Sequence, residues 1–150
     1  MRPQLQVAVE PPQIQLCAFM VGEEEYAIDI HRVLEILQPP PLTQVPRAPK
    51  VDGVINLRGE IVPLVDLRRV LAAGGAMDVR RQKLLICLVG RRKLAFRVDR
   101  VTQVVRASRD ELKPVPPVGG GPLLSPYVIG VCSRGPRLLL LLNLRAVLGS

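Results

Sequence analysis

A single histidine, His31, stands in a chain of 150 residues. A Ser/His/Asp relay or a histidine-based metal cage would have to be built around one imidazole whose neighbours, Ile30 and Arg32, offer neither nucleophile nor ligand. Cys17, Cys87 and Cys132 are odd in number, far apart and each set in an apolar stretch, which gives neither a disulfide framework nor the paired spacing of a thiolate metal site. Free thiols in such surroundings read as core residues. Gly119-Gly120-Gly121-Pro122 lacks the Lys-Ser/Thr that would let a glycine run hold phosphate, so it reads as a hinge-like loop. No acid/base pair converges on a nucleophile. The expectation is a chain without catalysis, cofactor or metal. What remains is recognition chemistry, and its first candidate is Arg58 in Asn56-Leu57-Arg58-Gly59. A guanidinium on a tight Arg-Gly turn is carried outward and can make forked hydrogen bonds to carbonyls or carboxylates of another protein. An internal clamp is the competing role.

The elements that would carry such a turn must be built from aliphatic side chains. Apolar residues make up 48% of the chain and charged residues 23%, with two Phe, two Tyr and no Trp, so Val, Leu and Ile have to fill the core. The longest apolar runs, 84–89 and 138–142, are far short of the roughly 20 residues that span a bilayer. Glu10, Pro11 and Pro12 interrupt the start before any secretory h-region, so the expected location is the cytoplasm. The 15 Pro and 12 Gly suit short strands and turns better than a helical bundle.

Self-similarity organises the chain. Residues 16–37 slide onto 84–105 at an offset of 68, with Val21-Gly22 on Val89-Gly90, Ala27 on Ala95 and Arg32-Val33 on Arg100-Val101. Residues 53–71 slide onto 130–148 at an offset of 77, with Gly53-Val54 on Gly130-Val131 and Asp66-Leu67-Arg68 on Asn143-Leu144-Arg145. The difference places a nine-residue insertion in the Pro- and Gly-rich stretch 114–126, which reads as a loop. Within each copy, strands at 16–21 and 26–30, and again at 84–89 and 94–98, flank Gly22-Glu23-Glu24-Glu25 and Gly90-Arg91-Arg92-Lys93, the form of a β-hairpin. A second hairpin joins 53–57 to 61–65 through Arg58-Gly59-Glu60, where Gly59 can take positive φ. Asp66 predicts an N-cap for a helix over 67–73 closed by Gly74, and Asn143 does the same for 144–148 before Gly149. Residues 31–37 and 99–105 fit one helical turn or a bent strand equally well. A two-hairpin unit this small leaves open edges unless it closes, so the expected architecture is mostly β: two tandem five-stranded barrels with short connecting helices, residues 14–78 and 79–150, behind a tail 1–13.

Charge divides unequally between the copies. Residues 1–78 carry seven Lys/Arg against ten Asp/Glu, and residues 79–150 carry fourteen against three, for a net +8. Three readings of the basic second copy stand side by side: a solvated surface, docking on an acidic protein, and nucleic-acid binding through Arg80, Arg81, Lys83, Arg91, Arg92 and Lys93. The shortage of aromatic rings argues against single strands, and no basic helix presents itself to a major groove, so nucleic acid is the least favoured.

The run from Gly53 through Asn56-Leu57-Arg58-Gly59-Glu60-Ile61-Val62-Pro63-Leu64-Val65 to Asp66-Leu67-Arg68 closely resembles the signature of CheW-like domains. Glu24-Glu25-Tyr26-Ala27-Ile28-Asp29-Ile30 with Val33-Leu34-Glu35-Ile36 is similar to that family's first hairpin and crossover, Val98-Asp99-Arg100-Val101 to its second-half counterpart, and Pro46-Arg47-Ala48-Pro49 to its Pro-rich connection. The resemblance covers roughly residues 14–148. It implies two SH3-like barrels forming one CheW-like domain over 14–150, and a non-catalytic adaptor that joins the cytoplasmic tip of a methyl-accepting chemoreceptor to the regulatory domain of a CheA-type histidine kinase. It implies partner binding by Arg58, Glu35, Val33 and Ile36, a turn shaped by Asn56 and Gly59, and a second-barrel side of the groove at Ala95 and Val104. Ala95, Phe96 and Arg97 depart from the family pattern, which leaves open a member with weakened kinase contact. A regulatory barrel detached from a larger kinase would share the same features.

Overall fold

The computed structural model describes residues 13–41, 43, 51–115 and 125–149. Each copy of the repeat forms a first hairpin, a crossover strand and a second hairpin. The first copy supplies β1 (Gln13–Val21), β2 (Glu24–Asp29), β3 (Val33–Leu37), β4 (Gly53–Leu57) and β5 (Glu60–Asp66), then α1 (Leu67–Val70). The second supplies β6 (Lys83–Val89), β7 (Arg92–Val98), β8 (Arg100–Ser108), the short β9 (Leu112–Lys113), β10 (Val128–Arg134), β11 (Arg137–Leu142) and α2 (Leu144–Gly149). The ambiguous crossovers are bent strands, the first entered through a 3-10 turn at Ile30–Arg32. α1 is shorter than the expected 67–73 because Ala72 already turns left-handed at φ 50. The expected tail up to residue 12, most of the loop 114–126, the Gly119–Pro122 run and the Pro46–Pro49 connection lie outside the described residues.

The expected division at residue 78 is not how the strands pair. The six-stranded sheet runs β8-β1-β2-β11-β10-β9 and the five-stranded sheet β3-β6-β7-β5-β4, so the copies exchange their first hairpins. The exchange obeys one internal two-fold. Leu16 opposes Val105 and Cys17 opposes Val104, just as Leu84 opposes Leu37 and Leu85 opposes Ile36. The parallel seams match as well, with Leu141 opposite Ala27 and Leu64 opposite Ala95. Even the bulges correspond: β3 carries an extra residue at Leu34 and β8 at Thr102.

Each sheet closes through one continuous chain segment. β8 passes through a 3-10 turn at Arg109–Glu111 into β9, which is the opposite edge of the same sheet. Beyond β3, Thr43 exchanges backbone hydrogen bonds with Val54 of β4 at 3.1 and 2.8 Å. Closure removes the exposed edges that a two-hairpin unit would otherwise present.

The exchange also explains why β1 and β6 read as continuous apolar runs. Leu16 and Ala18 point into the six-stranded barrel, while Cys17, Phe19 and Val21 point the other way into a core shared by both barrels. On β6, Leu84 and Ile86 fill the five-stranded barrel and Leu85, Cys87 and Val89 meet the shared core. Strands buried on both faces cannot alternate with polar residues.

One buried ion pair locks the barrels. Arg68 of α1 donates from Nη1 to Asp99 Oδ2 at 2.6 Å and from Nη2 to the carbonyl of Gly75 at 2.8 Å. Asp99 sits where the chain crosses from one sheet to the other. Its Oδ2 also accepts from the Gly22 backbone N–H at 2.8 Å, and its own N–H donates to Met20 O at 2.9 Å. The equivalent positions are Arg145 and His31, and His31 turns instead to Asp29 at 2.9 Å. The linchpin therefore exists once.

Candidate partner-binding site

The β4–β5 connection is a two-residue turn in which both Arg58 (φ 52) and Gly59 (φ 87) are left-handed, the geometry that matches the twist of a hairpin. Asn56 Oδ1 accepts from the Gly59 backbone N–H at 2.8 Å and fixes the turn. Asn56 and Gly59 thus lie within the turn, which holds Arg58 in a conformation that an L-residue seldom adopts.

Arg58 is carried outward: its side chain is 66% exposed. It is no clamp between barrels. Barrel closure brings β3 beside β4, and Arg58 makes a fork with Glu35, Nη1 to Oε1 at 3.1 Å and Nη2 to Oε2. Glu35 lies on the same barrel. The guanidinium hydrogen bonds hold the Glu35 carboxyl below the usual glutamate range, and Glu35 in turn raises Arg58. The two charged site residues are therefore one unit, an exposed ion pair whose forked donor is oriented before any partner arrives.

The bulge at Leu34 explains the apolar surroundings. Leu34 and Ile36 are exposed on β3, whereas Val33 is half-buried against the shared core. Ile61, opposite Asn56 in the hairpin, is 61% exposed. Leu34 and Ile36 on β3 and Ile61 on β5 are thus exposed on strands of the sheet that carries the Glu35–Arg58 pair. Of these, Leu34 and Ile61 carried no sequence signal, because an exposed aliphatic in a strand looks like any core residue until the bulge and the closure are known.

The second-barrel side of the site is corrected by the hairpin exchange. Ala95 lies on β7, the central strand of the same five-stranded sheet, and is fully buried with Ile55, Leu64 and Ile86. Its side chain is closed off from the surface. Val104 is 56% exposed on β8 of the other sheet, at the position equivalent to Ile36. It belongs to a second, symmetry-related face.

Arg97, which departs from the family pattern, has an internal role. The parallel register sets it against Asp66, whose Oδ2 accepts from Arg97 Nη2 at 2.6 Å while Oδ1 caps α1 by accepting from the Arg68 N–H at 3.0 Å. In the other copy the cap is the neutral Asn143, and the position equivalent to Arg97 is Asp29.

Other ion pairs repeat with their polarity reversed. Lys93 of β7 donates to Glu60 of β5 at 3.0 Å, and at the equivalent positions Arg137 donates to Glu25, from Nε at 3.0 Å. Gln103, equivalent to Glu35, sets its side-chain amide against the Arg137 guanidinium, which is satisfied when the amide oxygen is assigned to that side. The basic second copy is consequently dispersed. Lys83, Arg92, Lys93 and Arg97 enter the five-stranded sheet, and Arg80 and Arg81 stand at the start of β6 while Arg91 and Arg92 stand beyond its end. A seven-residue strand keeps those groups about 20 Å apart. Among the described residues these groups therefore do not form one basic face, which disfavours nucleic-acid binding through them.

Burial pushes the Cys87 thiol up to about 12, with the neighbouring Cys17 charge adding to the shift, and burial also raises Cys17 and Cys132. Groups of three or more metal-ligating side chains are absent among the described residues. No helix among them is long and apolar enough to cross a membrane.

A family model for the CheW-like domain matches residues 15–150. Chemotaxis protein CheW of Klebsiella aerogenes is 33% identical over 133 residues, covering 88% of this chain and 80% of that one. Chemotaxis protein CheW of Treponema pallidum is 32% identical over 152 residues, 96% and 87% of the two chains. Protein FrzA of Myxococcus xanthus is 33% identical over 110 residues, 73% and 68%. The crystal structure of the scaffolding protein TtCheW from Thermoanaerobacter tengcongensis superposes with a TM-score of 0.82 at 26% identity, covering 92% of this chain and 89% of that one.

Proposed function

The chain belongs to the CheW-like family, and from that premise we propose that it is a non-catalytic cytoplasmic adaptor of a chemosensory system, binding the helical tip of a chemoreceptor and the regulatory domain of a histidine kinase. The observation that carries the reading is the outward, pre-oriented guanidinium of Arg58, on the same sheet as exposed Leu34, Ile36 and Ile61. A partner helix offers apolar side chains for the aliphatic surface, and carbonyls or carboxylates for the fork. Val104 is the corresponding apolar contact on the symmetry-related face. Ala95 and Phe96 are fully buried and Arg97 is paired with Asp66. The departures from the family pattern therefore lie within the fold, supply no altered docking surface, and both partner contacts are expected.

The test is a binding titration of the purified protein against a chemoreceptor signalling fragment and, separately, a kinase regulatory domain. Both should bind, and Arg58→Ala should weaken the receptor fragment by roughly tenfold to a hundredfold, with only the small fall in thermal midpoint that loss of an exposed ion pair brings. Unchanged affinity in a folded Arg58→Ala protein would remove Arg58 from the site. Binding of neither partner would defeat the adaptor reading.

A further inference from the structure

Equivalent positions at the mouths of the two barrels carry different chemistry. In the five-stranded barrel, Arg97 pairs with Asp66 at 2.6 Å, Arg69 pairs with Asp52 at 2.6 Å, and Asp52 Oδ2 accepts from the Asp66 backbone N–H at 2.7 Å. The repeat sets Asp29, Asn143, Ala146 and Ile129 of the six-stranded barrel at the places of Arg97, Asp66, Arg69 and Asp52, and these four cannot form that ionic belt. Ile129 lies in a bulge of β10, where the register shifts between Val128 and Gly130, and is left 58% exposed.

The mouth without the belt is a cavity. About 290 Å³ opens there against the core of the six-stranded barrel, with buried Leu16 and Ala27, half-buried Ile14, Leu112 and Leu141, and exposed Ile129 in its wall. Arg32, just ahead of β3, and Arg145 of α2 also line it; both are exposed and neither makes an ion pair among the described residues. The one carboxylate in the wall, Asp29, is engaged by His31, whose backbone N–H and Nδ1 both meet its Oδ1 at 2.9 Å. Burial raises the Asp29 carboxyl, but the His31 hydrogen bonds and then the charges of His31 and Arg32 leave it lowered, so Arg32 is partly compensated. Two cations against one anion leave an apolar cavity with a positive charge to spare, and Arg145 is its source.

We propose that this mouth binds a straight-chain fatty carboxylate, with the alkyl chain among Ile14, Leu112, Ile129 and Leu141 and the head group on Arg145. A cavity of ~150 Å³ holds benzene, so about 290 Å³ takes roughly ten to twelve heavy atoms, a chain of about eight to ten carbons with its carboxylate. Burial of the chain supplies the affinity, and the guanidinium selects a charged head over a neutral one. The five-stranded barrel is an internal control, because its mouth carries the ion pairs instead. The cavity lies on the other barrel from Arg58, so the proposal goes beyond the adaptor reading and does not depend on it.

Isothermal titration of the full chain with sodium decanoate, kept below its micellar concentration, tests it. Decanoate should saturate at one molecule per chain, and butyrate, too short to fill the apolar wall, should not bind. Decanol should bind roughly tenfold or more weakly, since it brings no charge to the guanidinium. Arg145→Glu should weaken decanoate by roughly tenfold or more, because like charges then meet. Ile129→Asp, which gives the bulge the residue type that Asp52 supplies at the other mouth, should abolish binding. Amide resonances that shift with decanoate should centre on Leu112, Ile129 and Leu141. Absence of binding, uptake that never saturates, equal affinity for decanol, unchanged affinity in either folded variant, or shifts centred instead on the exposed aliphatics Leu34, Ile36 and Ile61 would each overturn the proposal; far-UV circular dichroism and thermal midpoints establish that the variants are folded.

Discussion

Removing Arg68 should open the seam between the barrels. Its side chain and that of Asp99 are only 17% and 10% exposed, so the pair is desolvated, unlike Arg58 with Glu35. Arg68→Ala leaves the Asp99 carboxylate buried with a single donor, the Gly22 N–H, because Oδ1 has no hydrogen-bond partner even in the intact protein. Breaking a buried pair by deleting one partner costs ~3–5 kcal/mol. A domain of this size loses ~2–4 °C of melting temperature per kcal/mol, so the thermal midpoint should fall by roughly 6–20 °C. The loss of bonds to the Gly74 and Gly75 carbonyls adds little, since those groups reach water. Urea denaturation of wild type, Arg68→Met, Asp99→Asn and the Arg68→Met/Asp99→Asn double variant closes a double-mutant cycle. The neutral pair keeps an acceptor for Gly22 and removes both charges, so it should recover much of the loss, with a coupling energy of ~1–3 kcal/mol. A loss below ~1 kcal/mol for Arg68→Ala, typical of exposed pairs, or a cycle with no coupling would refute the buried-latch argument.

The three thiols should resist modification at neutral pH, because all are buried and their pKa values are raised. A disulfide reagent should label none in the native protein and three after denaturation; rapid native labelling of Cys17 or Cys87 would contradict the shared core, and of Cys132 the core of the six-stranded barrel. Stability should fall in acid with a calculable sign. Arg58 lowers Glu35, and the Ser108 N–H, then Arg134, lowers Glu111; burial raises Asp52, but Arg69 and the Asp66 N–H outweigh it and leave it lowered. Each folded pKa lies below its unfolded value, so the stabilisation is complete above the ordinary 4.5 of Glu and 3.8 of Asp and is lost as pH drops through the lowered values. Thermal midpoints should decline modestly below about pH 4, since these pairs are largely exposed. Arg69→Ala should flatten that decline, and a midpoint indifferent to pH there would show these pairs to be inert.

Local chemistry was legible wherever a residue acts on its own neighbours. Asp66 and Asn143 cap helices because a short side-chain acceptor lies within reach of the next turn, and Gly59 permits a hairpin because it lacks a Cβ. The repeat was legible too, since equal folding units require apolar residues at equal spacing. Arg58 could be picked out, yet its partner Glu35 could only be placed beside it as a second candidate; the ion pair exists because closure brings β3 against β4. Ala95 was misplaced for the same reason that residue 78 seemed a boundary. A strand's own pattern of apolar side chains states how many faces are buried, not whose edge it will pair with.

By itself, then, the order of residues determined two copies of a double hairpin, their turns and caps, an aliphatic core and the turn that carries Arg58, all consequences of interactions within a few residues. Tertiary structure decided that the first hairpins trade places, that Arg68 finds Asp99 across the seam, and that the ion pairs of one half reappear inverted in the other. Those are contacts between segments far apart in the chain, and the hydrogen-bonding edges that select among them are the same for every strand.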